Sequence, residues 1–313
     1  MATLGPGELL DRRTFLRYAG AAAATVGAGV VAGCTTTHGT ATARTTTTTS
    51  HPPSGPPDWR ALAASLHGSL VLPADSSYPT DALLYNAILS PSPAAIAYCA
   101  NASDVQRCLA FARARDVPLA ARSGGHSYGG YSSCPGLVID VSPLNAVGAV
   151  ASAGTGTGTV QVGAGTPLID IYSQLGSEGY LLPGGSCPSV GIAGLALGGG
   201  IGVFGRAYGL TCDHITKVEM VTADGMLRQC GPDQQEDLFW ASQGGGGGNF
   251  GVVTSFTFSV VPIPDVTLVT LEWPWAAAGE VLASWMQWMP FTPHAMWSNC
   301  QLYPSGTSGV VKV

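Results

Sequence analysis

From Asp58 onward the apolar positions fall into two periods. Trp59, Leu62 and Leu66 in DWRALAASLHG recur at helical spacing and predict a helix with one apolar face. AIAYC, residues 95–99, reads as a strand. Asn101 to Arg115 reads as a helix capped by Asn101 or Ser103, and VPLAA, residues 117–121, as the next strand. LVIDVS and TVQVGAG predict further strands, followed by a helix from Thr166 to about Gly179. HITKVEMVTADGMLRQC predicts two strands about an Asp224–Gly225 turn, and EDLFWASQ a short amphipathic helix. Alternating αβ units joined to a run of strands suit an α+β fold rather than a doubly wound sheet. Past Pro264 the pattern changes to VTLVTLEWPW and an amphipathic VLASWMQWMP. Trp273, Trp275, Trp285, Trp288 and Trp297 there are expected on core and sheet faces, or on an aromatic wall.

Before Asp58 the pattern fails. DRRTFLRYAGAAAATVGAGVVAGC carries Arg12 and Arg13 ahead of an Ala/Gly/Val stretch, which looks like a twin-arginine signal over residues 1–34. That stretch is too short and too glycine-rich to read as a membrane span. Val31 to Cys34, VAGC, resembles a lipobox, which would make Cys34 a lipidated first residue. The expected location is the outer face of the cytoplasmic membrane, lipid-anchored, or secreted. Membrane contact is expected through the signal or the lipid only. Residues 35–57, rich in threonine and proline, lack the apolar surface needed to fold and read as a linker. The foldable remainder divides into 58–264 and 265–313.

Net charge is only -6 and no basic patch stands out, which argues against a nucleic-acid partner. No cysteine pair has zinc-site spacing, so no metal is expected. Six cysteines besides Cys34 and Cys187 allow fifteen pairings, and no bridge is assigned. Gly200, Gly202 and Gly205 match a dinucleotide fingerprint in spacing, but no strand precedes them, so that reading is set aside.

The candidate chemistry lies in two glycine-rich loops. RSGGHSYGG, Arg122 to Gly130, places His126 after a strand, and GGSCPSVG, Gly184 to Gly191, presents Cys187 ahead of a helix start. Such loops bring backbone N–H groups close to a phosphate. Taken singly, His126 could be a loop histidine satisfied by carbonyls, and Cys187 a buried small hydrophobe.

Three motifs in order, RSGGHSYGGYSS, CPSVGIAGLALGGGIGVFGRAYGLTCDHI and DLFWASQGGGGGNFGVVTSFTF, resemble the berberine bridge enzyme-like oxidases of the vanillyl-alcohol oxidase superfamily. The resemblance runs from about Pro91 to Pro262. It implies a PCMH-type FAD-binding domain of two α/β subdomains, then the start of an antiparallel-sheet substrate domain.

The resemblance also implies FAD held bicovalently, by His126 at the 8α methyl and Cys187 at carbon six of the ring. A helix beginning just after Cys187 would favour its thiolate. Further FAD contacts are implied at Arg122, Ser123, Gly124, Gly125, Ser127 and Tyr128 on the first loop. The second region would add Val190, Gly191, Gly194, Gly198, Gly199 and Gly200, and the third Gly251, Val252 and Val253. A small side chain at Val190 would let oxygen reach the ring.

The implied activity is hydride transfer from the CH-OH group of a small-molecule alcohol or carbohydrate to FAD, then to O2, giving H2O2. The catalytic base is expected in a C-terminal part of the substrate domain beyond Val313, so none is assigned here. The alternative is a catalytically incomplete, membrane-tethered flavin- or ligand-binding lipoprotein.

Overall fold

The computed structural model describes residues 56–313 except Ala153, Thr155 and Thr307. The signal stretch, Cys34 and nearly all of the linker therefore lie outside the described residues. No helix among the described residues is long and apolar enough to cross a membrane.

The first sheet contains β1 (Ser69–Val71), β2 (Ala95–Tyr98), β3 (Leu119–Arg122) and β4 (Leu137–Asp140), in the order β1-β2-β4-β3. β2, β4 and β3 run parallel, and β1 joins β2 antiparallel. The helix Ala102–Arg115 makes the crossover from β2 towards β3, as a parallel connection requires. Asn101 caps it by accepting from the Asp104 N–H at 3.0 Å, a contact typically worth about 1 kcal/mol. Val105, Cys108, Leu109 and Ala112 form its buried stripe. The preceding helix, Trp59–Ser65, starts at an Asp58 cap and buries Leu62, with Trp59 and Leu66 against the core.

The second sheet is antiparallel: β5 (Ala151–Ser152), β6 (Gly158–Gly163), β7 (Tyr180–Leu181), β8 (Ile215–Val221), β9 (Leu227–Cys230) and β10 (Val252–Pro262). Its order is β5-β6-β10-β8-β9, with β7 also paired to β10. β10 is its centre, and Val253, Phe256, Phe258 and Val260 are all buried there. Gly225, at φ +83°, sits in the β8–β9 turn. The helix Leu168–Ser177 buries Leu168, Ile171 and Leu175, one face at helical spacing.

A third sheet, β11 (Glu272–Pro274), β12 (Gln301–Ser305) and β13 (Ser308–Lys312), is antiparallel in the order β11-β13-β12, with the helix Ala278–Trp288 between β11 and β12. The α+β reading therefore holds. Of the tryptophans expected on core and sheet faces, Trp273 lies on β11. Trp288 is 50% and Trp297 43% exposed, and Trp273, Trp275 and Trp285 are only half-buried. All seven described cysteines are free, with Cys99, Cys108, Cys212 and Cys230 buried.

Candidate cofactor site

β3 ends at Arg122, and the parallel register sets that residue beside Asp140 on β4. Both are buried, and the guanidinium donates from Nε to the Asp140 carboxylate and from Nη1 to the Asp81 carbonyl at 2.9 Å. A second Asp140 oxygen accepts from the Ser142 N–H at 2.8 Å. A buried charge is tolerable only when paired in this way. Arg122 thus anchors the chain at the point where the histidine loop begins.

That loop meets the cysteine loop backbone to backbone. A Cβ on Gly124 would overlap the Gly191 nitrogen and come within 2.8 Å of the Ser189 carbonyl oxygen, and one on Gly191 would overlap the Ser123 hydroxyl. Only glycine at both positions allows this approach. Ser123 donates to the Ala164 carbonyl at 2.8 Å, and the carbonyls of Val190 and Pro188 accept from the N–H groups of Leu168 and Ile169 at 2.9 and 3.1 Å. The cysteine loop is thereby stitched to the first turn of the helix Leu168–Ser177.

His126 is half-buried. Its Nε2 lies 3.0 Å from the Ser189 Oγ, and the Tyr85 ring is stacked on it with centroids 3.9 Å apart and planes 20° apart. The Tyr85 N–H donates to the Gly125 carbonyl at 3.2 Å, tying that ring to the loop. Burial lowers the His126 pKa below the ordinary histidine value. The expected carbonyl partners are absent among the described residues, replaced by a hydroxyl and a ring.

A cavity of about 420 Å³ opens beside the junction, within the roughly 300–1,000 Å³ usual for ligand sites. Arg122, Ser123, Gly124, Gly125, His126 and Ser127 line it on one side, Val190, Gly191 and Gly194 on another, and Gly251, Val252 and Val253 on a third. Leu195 and Leu197 add apolar wall, and the glycine run contributes Gly247 and Gly248. Gly246 donates to the Leu197 carbonyl at 2.8 Å, which docks that run against the helix Ile192–Leu197.

Several expected contacts fall elsewhere. Tyr128 is 78% exposed and outside the lining, and Gly198, Gly199 and Gly200 are outside it too. Gly200 is needed for packing instead: a Cβ there would run into Thr211. The helix after Cys187 begins only at Ile192 and is six residues long. Cys187 itself is half-buried on the loop, outside the lining but beside Pro188 and Ser189. Sequence reasoning missed Tyr85, Ser189, Tyr131 and Ser132; the last two also line the cavity.

The lining suits a flavin nucleotide. A Cβ added at Gly194 or Gly248, both of which line the cavity, would point into open space there. Glycine backbone serves a diphosphate and the valine and leucine walls a flat ring.

Comparison with known proteins agrees. A family described as FAD binding domain matches residues 93–231. The uncharacterized FAD-linked oxidoreductase YgaK of Bacillus subtilis (strain 168) is 38% identical over 244 residues, covering 76% of this chain and 53% of YgaK. The structure of Physcomitrella patens BBE-like 1 superposes with a TM-score of 0.71 at 30% identity, covering 81% of this chain and 55% of that one. Xylooligosaccharide oxidase from Myceliophthora thermophila C1, in complex with xylobiose, gives 0.68 at 27% identity, covering 81% and 54%. The chain spans about half the length of the curated relatives it matches. Residues 93–231 are thus similar to an FAD binding domain, the fold is that of the berberine bridge enzyme-like structures, and the chain has homologues among proteins named FAD-linked oxidoreductases.

Proposed function

We propose that the protein is an exported FAD-dependent oxidase acting on the CH-OH group of a sugar or secondary-metabolite alcohol, with its flavin tethered by both His126 and Cys187. Bound FAD supplies the hydride acceptor and passes the electrons on to O2, giving H2O2. The observation that carries this reading is the junction at Gly124 and Gly191, which brings the histidine loop against the cysteine loop at one edge of the cavity.

The residues suit those tasks. Burial favours neutral His126, the state in which an imidazole nitrogen has a lone pair to offer. Cys187 is partly accessible, unlike the buried Cys99, Cys108, Cys212 and Cys230. Val190 is at the lining, where a small side chain would let oxygen reach the ring. Similarity to an oxidase that binds xylobiose supports a carbohydrate substrate. Arg12, Arg13 and Cys34 support export through the twin-arginine route and a lipid anchor.

Acid precipitation tests the tether: the pellet is expected to stay yellow, with flavin mass on the tryptic peptides holding His126 and Cys187. Flavin released into the supernatant would remove it. Oxygen uptake with a panel of sugars and alcohols tests the oxidase; dye reduction without oxygen uptake would make the protein a dehydrogenase.

A second reading is a membrane-tethered flavin- or ligand-binding protein without turnover. Covalent flavin with neither oxygen uptake nor dye reduction across the panel would select it.

A further inference from the structure

A second groove, of about 500 Å³, is lined by Arg206, Trp285, Met286, Met289 and Pro290, none of which lines the cofactor cavity. We propose that it binds a small monocarboxylate with a flat apolar body, the carboxylate on the Arg206 guanidinium and the body along Trp285 and Met286.

Neutral groups alone hold that guanidinium in place. Nη1 donates to the Met289 carbonyl at 3.1 Å and to the Thr292 hydroxyl at 2.8 Å, and Nη2 to the Thr292 carbonyl at 2.9 Å. The Thr292 hydroxyl in turn donates to the Met289 carbonyl at 2.8 Å. Three of the five guanidinium N–H groups are thereby used. Nε–H and the second Nη2–H remain, side by side on one edge of the planar fork, and among the described residues no acceptor meets them. Two parallel N–H groups fixed in a plane are what the two oxygens of a carboxylate match. Nη1 also lies 3.5 Å from the Met289 sulfur, which sets the charged end of Arg206, and not its stem alone, against a side chain of the groove wall.

The charge selects the ligand further. Buried Arg122 is met by Asp140, whereas among the described residues no carboxylate pairs with half-buried Arg206. Residues 179–212 and 281–313 contain neither Asp nor Glu. A fixed cation without a counter-charge favours an anion over a neutral molecule of the same shape. A diphosphate is poorly served, since the lining holds no second cation. The remaining lining is apolar. Trp285 is held through Nε1–H, which donates to the Ser298 hydroxyl at 3.0 Å, so its ring offers a fixed face. The thioethers of Met286 and Met289 adapt to whatever lies on that face.

The full chain is titrated with trans-cinnamate and, separately, with trans-cinnamamide, by saturation-transfer difference NMR, with and without excess FAD. Cinnamate is expected to bind with a Kd of about 1 mM or below, and the uncharged amide about tenfold or more weakly. Arg206→Lys keeps a positive charge but loses the two-toothed edge, and should weaken cinnamate about tenfold while leaving the amide unchanged. Met286→Glu, at an exposed position with no hydrogen bond to lose, sets a like charge beside the ligand and should abolish cinnamate binding at an unchanged urea midpoint. The second variant keeps the test open should Arg206→Lys unfold the 289–292 turn. Equal affinity for acid and amide would overturn the proposal, as would no detectable cinnamate binding. Binding that survives Met286→Glu, or that FAD displaces, would place the carboxylate elsewhere and overturn it too. None of these outcomes depends on how the flavin is attached.

Discussion

Around the cavity, glycine is packed on glycine, and the charged pair Arg122–Asp140 is buried beneath the histidine loop. Between Val266 and Lys312 the arrangement reverses. Leu268 is 91% and Phe291 88% exposed, and Met289 and Val311 are the only buried apolar side chains of that stretch among the described residues. The first region spends its side chains on fixing backbone; the second presents large apolar side chains to solvent. A cavity for a rigid ring and a diphosphate needs fixed backbone, because N–H groups can be aimed only if the chain bearing them cannot shift. The two regions should therefore answer mutation very differently.

The largest effect is expected at the ion pair. Asp140→Asn strands a buried guanidinium and should cost about 3–5 kcal/mol, read as a lower urea midpoint with an unchanged slope. The double change Arg122→Met with Asp140→Leu removes both charges and should recover part of that loss. If Asp140→Asn unfolds at the wild-type midpoint, the pair is not what holds the first region together.

Next comes the junction. Gly191→Ala drives a methyl group into the Ser123 hydroxyl and the Gly124 nitrogen. Backbone cannot yield as a side-chain tip can, so about 1–3 kcal/mol should be lost. The loops should also part, and the yield of flavin on the His126 and Cys187 peptides would fall well beyond the loss of stability. Gly194→Ala is the informative contrast, since its methyl meets no protein atom. It should leave the midpoint of the flavin-free protein near wild type and lower flavin incorporation alone.

Smaller still is the effect of pH on His126. Burial favours its neutral form, so the folded protein binds this proton at a lower pH than the unfolded chain does. The sign follows: the histidine penalises the fold below its depressed pKa, and the penalty fades as pH rises to the ordinary value of about 6.5. Attachment at His126 should therefore persist below that pH. Tyr85→Ala uncovers the ring and should raise its pKa towards the ordinary value. The neutral fraction at pH 6 would then fall by up to about fourfold, visible as a shifted pH profile of adduct formation.

Much of the first region was legible from residue order. The cap at Asn101 and the β8–β9 turn at Gly225 are local, and local rules found them. The loops at His126 and Gly191 announced themselves because glycine clusters have few other uses. What stayed hidden was tertiary. Tyr85 lies in DALLYNAILS, where nothing in the spacing distinguishes a ring that stacks on a histidine from one on the surface. Gly200 looked like its neighbours, yet it is fixed by Thr211, and no pattern in the chain reveals which neighbour fills the space. The exposure of Trp288 and Trp297 stayed hidden for the same reason: amphipathic spacing shows that a face is apolar but not what covers it.

That open face gives the smallest prediction and the sharpest control on the comparison. Trp288, at the end of the helix Ala278–Trp288, is half exposed, and Phe291 just beyond it is almost fully exposed. Trp285 differs, since its Nε1–H donates to the Ser298 hydroxyl at 3.0 Å. Phe291→Ser removes apolar surface that is already in water, so little transfer free energy is at stake and the midpoint should move by less than about 0.5 kcal/mol. Trp285→Phe loses one partly buried hydrogen bond and should cost about 1 kcal/mol. Neither should alter the yield of flavin on the His126 and Cys187 peptides. If Phe291→Ser destabilised the chain as much as Gly191→Ala, the exposed face would have to be covered in solution, and the contrast drawn between the two regions would fail.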